Sequence, residues 1–229
     1  MLAGIEETYP GVTIGYRAHF PEIEVKVFAK QKTRTEAQSL ADAATREVRN
    51  RLAELVYGEG PNETYAAAVA RVLRGHALTL AIAKSCTGEL VDHMITSVPG
   101  SSEFLIFDAV VYSNASKSKL LGVDPELIRA HGAVSAECAG ALASGALRAA
   151  GSDIAVSITG IAGPGGGTDT KPVGLVYVGV ATKGGVDVVE KRFNGDRGRV
   201  QTLAAYTALK LVTDAARKLD RMREAATPG

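Results

Sequence analysis

Apolar and polar positions alternate from Ile23 to Val27, with Glu24 and Lys26 between them, the period of a strand with one wet face. VTIGYRA (12–18) and IEVKVFAK (23–30) both read as strands, and His19-Phe20-Pro21 breaks them, which predicts an antiparallel pair. From Glu36 the period lengthens: Ala37, Leu40, Ala44, Val48, Leu52 and Leu55 line one face of a helix over 36–56, with Thr35 as its N-cap. YGEGPNET (57–64) is polar and rich in breakers, so the pattern divides the chain into a small α+β unit, 1–60, and a larger domain, 61–229. Two strands and a helix are thin for independent folding. The first unit is expected to lean on the rest, or to belong to a longer protein.

Beyond the boundary, helix and strand alternate. A short helix carries Tyr65, Val69, Val72 and Leu73, the strand LTLAIA (78–83) follows, and the next helix bears Leu90, Met94 and Ile95 before Pro99-Gly100. FLIFDAVVY (104–112) is apolar throughout except for Asp108 and reads as a central strand. SAECAGALASGALRAAG begins at Ser135 and stops at Gly151; its Ala, Gly and Ser content predicts a helix pressed close against a neighbour. DIAVSITG (153–160), LVYVGVAT (175–182) and VDVVEKRF (186–193) are further strands, the last two hairpin-like, and a helix runs from about Arg199 to Met222. The expected fold is α/β: a layered α/β/α domain with a mixed sheet, preceded by the small α+β unit.

Composition narrows the function classes. Of 229 residues 5% are aromatic and none is Trp, which argues against stacking platforms for single-stranded nucleic acid. The formal net charge of +1 gives no field toward nucleic acid or an anionic membrane. No apolar run reaches membrane-spanning length, residues 1–20 lack the pattern of a secretion signal, and Cys86 and Cys138 form no CxxC pair, so a cytoplasmic setting is expected.

Four polar clusters end strands: Ser85, Tyr112 to Lys117, Thr159 to Asp169, and Asn194 to Arg199. Ligands of α/β sheets bind where such ends converge, so one shared pocket is expected. Ser85-Cys86-Thr87-Gly88 reads as a strand-to-helix turn with Ser85 capping the helix and free backbone N–H groups for an anion or an oxyanion. The glycine-rich loop is neither a Walker A sequence nor GxGxxG; Thr159-Gly160 at its head is its better anion site, and a plain structural connector is the other reading. The four histidines, His19, His76, His93 and His131, lie outside these clusters, and no metal-ligand spacing is present. Lys117 is then the candidate base, beside a tyrosine, in a Ser–Lys arrangement that needs the amine neutral for part of its cycle. Cys86 is an alternative nucleophile, and Ser116 to Lys119 fits S-x-x-K without that class's partner motifs.

AKSCTG (83–88), VPGSS (98–102), VVYSNASKSKLLGV (110–123), HGAVS (131–135), TGIAGPGGGTDTKPVG (159–174) and FNGDR (193–197) together resemble the C-terminal domain of the CinA family, whose stand-alone form is nicotinamide-nucleotide amidohydrolase. Residues 1–60 resemble the small KH-like linking domain of longer CinA proteins, though without a GXXG loop. The resemblance implies a dimeric cytoplasmic enzyme, without metal or cofactor, that hydrolyses the carboxamide of nicotinamide mononucleotide. It carries the nucleophile onto Ser85, the lysine base onto Lys117 and the assisting tyrosine onto Tyr112. Oxyanion and substrate contacts are then expected at Cys86, Thr87 and Gly88, and phosphate contacts at Thr159, Gly160, Gly163, Gly165 and Arg197. Where the family pattern reads AESCTGG, this chain carries Lys84 and Glu89, so a cation beside Ser85 is expected to attract an anionic substrate or keep Lys117 neutral. Gln201 stands where the family tends to carry a basic residue. The competing class is a nucleotide-binding or interaction module without turnover.

Overall fold

The computed structural model describes residues 1–61 and 63–226, in two compact units, one over Met1–Glu63 and the other from Thr64 onward. In the first, a short helix α1 (Ile5–Thr8) precedes strands β1 (Val12–His19) and β2 (Glu22–Ala29), which pair antiparallel with Ile14 opposite Val27. Helix α2 (Arg34–Leu52) packs Ala44 and Val48 against Ile5 and Val12. Its N-cap is Thr33 rather than Thr35. Thr33 Oγ1 accepts the Glu36 N–H at 3.2 Å while Glu36 Oε2 accepts the Thr33 N–H at 3.1 Å, a reciprocal box that starts the helix two residues early.

The second unit contains α3 (Tyr65–Gly75), β3 (Leu80–Lys84), α4 (Leu90–Thr96), β4 (Leu105–Val110), α5 (Asn114–Leu121), α6 (Pro125–His131), α7 (Ala136–Ala150), β5 (Ile154–Gly160), β6 (Leu175–Thr182), β7 (Gly185–Arg192) and α8 (Arg197–Ala226). The sheet order is β4-β3-β5-β6-β7; β3 runs parallel to β4 and β5, while β6 is antiparallel to β5 and β7. The mixed α/β/α architecture matches the pattern of the sequence. Two apolar layers flank the sheet: Leu80, Ile82, Ile154 and Val156 pack with α3, α4 and α8, and Ala81, Ala83 and Ala155 with α5, α6 and α7.

Two expectations are corrected. β4 is an edge strand, not a central one, and its exposure alternates, leaving Ile106 and Val110 at the surface. Helices α5 and α6 were not anticipated. Each is short and starts on a capping side chain, Ser113 accepting from the Ser116 N–H and Asp124 from the Glu126 N–H, with little apolar periodicity to announce it. Helix α7 is as close-packed as its composition predicts: a Cβ on Gly145 would collide with the Leu121 carbonyl at the end of α5, and one on Gly179 would lie 2.7 Å from the Ala139 carbonyl.

Candidate functional site

The topology gathers all four polar clusters at one edge of the sheet. β3, β4 and β5 are parallel and β7, two antiparallel steps from β5, points the same way, so their C-terminal ends share that edge. Ser85 extends the β3–β5 ladder by one rung, its N–H donating to the Ile158 carbonyl at 3.1 Å. Alternation along β3 aims Ala81, Ala83 and then Ser85 at the α5–α7 layer. The Ser85 hydroxyl, 8% exposed, donates to Ile158 O at 3.4 Å. Ser85 does not cap α4: Glu89 occupies the N-cap without a side-chain bond. A tight turn intervenes, closed by Gly88 N–H to Ser85 O at 3.1 Å, with Gly88 at φ +57°, the left-handed conformation a glycine adopts without strain.

Lys117 lies on α5 and is only 2% exposed. Its ammonium donates to the carbonyls of Val111 at 2.8 Å and Tyr112 at 3.2 Å. The Val111 N–H in turn donates to Lys84 O at 2.8 Å, so the lysine head sits at the end of β4, one strand spacing (about 4.8 Å) from the end of β3. Burial holds the Lys117 amine below the ordinary lysine range, with the thiols of Cys138 and Cys86 pulling weakly the other way. Among the described residues no carboxylate pairs with it, and no hydrogen bond joins it to Ser85 Oγ. The Tyr112 side chain is 66% exposed; its carbonyl is what meets Lys117.

Burial pushes the Cys86 thiol up to about 11, against the pull of its own N–H, Arg197, the Thr87 N–H and Lys117, so it rests protonated and is the weaker nucleophile candidate. Gln201 of α8 donates to Cys86 O at 2.8 Å and pins the turn from the other layer. The Thr87 hydroxyl is buried and has no hydrogen-bond partner among the described residues. Thr159 is committed to Ala133 O at 2.7 Å, just ahead of α7, whose N-cap Ser135 accepts from Cys138 N–H.

In the glycine-rich loop, Gly160 and Gly163 are demanded by packing, since a Cβ on them would lie 2.8 Å from Leu175 O and 2.7 Å from Val173 Cγ1, whereas Gly165 faces open space. Arg197, the first residue of α8, donates to Gly163 O at 2.8 Å and ties the loop to that helix. Lys171 clamps the loop to the segment before α7 through the carbonyls of His131 (2.6 Å) and Val134 (2.7 Å), a contact the sequence did not signal.

Lys84 overturns the expectation of a cation beside the serine hydroxyl. Alternation sends its side chain to the opposite layer, where it is fully buried, hydrogen-bonded to Asp108 of β4 and 3.2 Å from Asp92 of α4. The Asp92 oxygen lies close enough for an ion pair but off the line of a hydrogen bond. Burial raises the Asp108 carboxyl above the usual range despite the attraction of Lys84, with Asp92 adding to the rise. The signal for this network was Lys84 closing an apolar strand beside another that carries the lone Asp108, because a buried ammonium needs a carboxylate partner. Glu89 is exposed and stands away from the packed interior.

A cavity of about 330 Å³ opens at the opposite edge of the sheet, between the β6–β7 turn and the C-terminal half of α8, lined by Val180, Leu211, Leu219, Asp187, Asp214 and Lys218. None of Ser85, Cys86, Tyr112 and Lys117 lines it. Among the described residues no cluster of three or more His, Cys, Asp or Glu could hold a metal ion, and no helix is long and apolar enough to cross a membrane.

Residues 62–216 match the family described as the CinA C-terminal domain, and residues 1–58 the KH domain of damage-inducible protein CinA. A CinA-like protein of Geobacter sulfurreducens is 45% identical over 208 residues, covering 91% of this chain and 50% of that protein. The chain spans about half the length of the curated relatives it matches. Among solved structures, a CinA superfamily protein from Klebsiella pneumoniae superposes with a TM-score of 0.65 at 31% identity, covering 67% of this chain and 96% of that one. The competence/damage-inducible protein CihA from Agrobacterium tumefaciens gives 0.63 at 34%, covering 69% and 99%. The chain therefore belongs to the CinA family, a CinA KH domain followed by a CinA C-terminal domain.

Proposed function

We propose that the C-terminal unit is a nicotinamide-nucleotide amidohydrolase that converts nicotinamide mononucleotide to nicotinic acid mononucleotide and ammonia. The observation that carries this reading is Lys117: a buried amine with no carboxylate partner among the described residues, depressed below the ordinary lysine range, at the strand end next to Ser85. Lowering the amine's pKa raises the share of its neutral form, and a neutral amine is what a serine hydroxyl needs from a base.

In the proposed reaction the neutral Lys117 amine takes the Ser85 proton as Oγ attacks the carboxamide carbon. Collapse of the tetrahedral intermediate breaks the C–N bond, and the Lys117 ammonium returns the proton to the departing nitrogen, which leaves as ammonia. Water, deprotonated by the same amine, then attacks the acyl-serine, and the Lys117 ammonium returns that proton to Ser85 Oγ as the acyl–oxygen bond breaks and the carboxylate leaves. The N–H groups of Cys86 and Thr87, in the turn that follows Ser85, serve the oxyanion. The 5′-phosphate is assigned to the glycine-rich loop at Gly160, Gly163 and Gly165 with Arg197, while Thr159, its hydroxyl committed to Ala133 O, anchors the head of that loop. Tyr112, whose exposed phenol is accessible to a bound nucleotide, assists the proton transfer. This reading takes the active species as a homodimer.

A nucleotide-binding module without turnover is the second reading. The hydrogen bonds of Ser85 to Ile158 and of Lys117 to carbonyls, rather than to each other, favour it. Catalytic hydrogen bonds often tighten only with substrate, so resting geometry is compatible with either. Ammonia release from nicotinamide mononucleotide, compared between wild type and Ser85→Ala, separates them: loss of release in the variant supports the amidohydrolase, and binding of the nucleotide without release supports the module.

A further inference from the structure

We infer that Lys84 is a positioning residue, tying the nucleophile turn to the strand that delivers the base, rather than a cation that meets substrate. The inference rests on the amidohydrolase reading for its kinetic consequences but on geometry for its statement. Lys84 immediately precedes Ser85 and is wholly buried on the layer opposite the serine. Its ammonium joins two separate elements, Asp108 on β4 and Asp92 on α4. These flank the site: α4 follows the Ser85 turn, and β4 leads into Val111, Tyr112 and Lys117.

The backbone closes the same loop. Lys84 O accepts from Val111 N–H, and Val111 O accepts from the Lys117 ammonium. A single residue thus holds β4 by side chain and by carbonyl, and β4 holds Lys117. Slack in this tie translates directly into the distance between hydroxyl and amine, and a misplacement near 1 Å costs about 100-fold in rate. β4 is an edge strand with a neighbour on one side only, so it has most need of such a tie.

The charge arithmetic also points away from substrate. One ammonium faces two carboxylates, so Lys84 presents no surplus positive field to an anion. Removing Asp108 leaves a balanced Lys84–Asp92 pair, which makes it the tractable position to change.

The test compares Asp108→Ala with Asp108→Asn. Both lose the same charge, but only Asn keeps an oxygen for the Lys84 N–H. kcat and KM for nicotinamide mononucleotide are measured well below each melting temperature, together with the Lys117 titration by NMR of protein labelled at lysine Cε, which needs no turnover. The expected result is a kcat loss of about 100-fold in the Ala variant at unchanged KM, largely restored in Asn, and a Lys117 titration that differs between the two. Equal kcat and equal titrations in both variants overturn the inference, as does an effect confined to KM. If wild type releases no ammonia, the amidohydrolase reading fails and the titrations alone decide: a difference between Ala and Asn sustains the tie, and identity refutes it.

Discussion

At the scale of single residues, the site is decided by which side of a strand each side chain takes. Ser85 and Lys117 stand out as candidates in the sequence because a polar residue closing an apolar run, and a lysine just after another, are unusual. The destination of Lys84 was not, because one-residue alternation is visible only once the strand's limits are known, and the ladder continues through Ser85. Lys117 supplies two predictions. Because its protonated form is the one burial disfavours, turnover should rise with pH through its depressed pKa and then level off, as read from kcat/KM profiles. The same shift links to stability. Below the folded-state value both states carry the proton and the native state bears the full desolvation cost. Between that value and the unfolded one near 10.4, the unfolded state holds more protons, so the native state gains with rising pH. Lys117→Met has no such group. Its stability relative to wild type should therefore be most favourable below the folded-state value and should decline as pH rises from there toward the unfolded one, as followed by urea unfolding; a pH-independent difference contradicts the assignment.

At the scale of elements, glycines in α7 set how near α5 can come and hence where Lys117 sits. A methyl group at Gly145 meets the Leu121 backbone, which cannot give way as a side chain could. Gly145→Ala should cost about 1–3 kcal/mol by overpacking and should reduce turnover as α5 is displaced. Gly140→Ala, whose new Cβ would stand 3.4 Å from Val188 Cγ2, should be neutral or stabilising, because Ala is the better helix former there. Thermal melts and kcat on the pair check both; equal effects would remove α7 packing from the account. The crowding itself was readable from the Ala, Gly and Ser content of residues 135–151. Helices α5 and α6 escaped because they are eight and seven residues long and rest on caps and tertiary contacts more than on periodicity. β4 misled for a different reason. Its near-continuous apolar run mimics a central strand, yet half of that run faces outward at the sheet edge.

At the scale of the whole molecule, the chain is two units with separate cores, and the proposed chemistry is confined to one. The boundary region 57–64 was readable from its breakers, and the structure divides the chain at Glu63 and Thr64. The larger unit holds both apolar layers, whereas among the described residues only Ile5, Val12, Ala44 and Val48 are buried in the smaller one. A chain starting at Thr64 should fold cooperatively and keep full ammonia release, whereas residues 1–63 alone should unfold at low denaturant, since so small a core supplies little net stability. Circular dichroism melts and the amidase assay on the two pieces check this; dependence of turnover on the first unit would move part of the site into it. The central claim is tested most directly by ammonia release from nicotinamide mononucleotide by wild type, Ser85→Ala and Lys117→Ala, each shown to be folded. The account predicts turnover in the wild type and its loss by at least about 100-fold in both variants; release that persists in either folded variant, or is absent from the wild type, contradicts it.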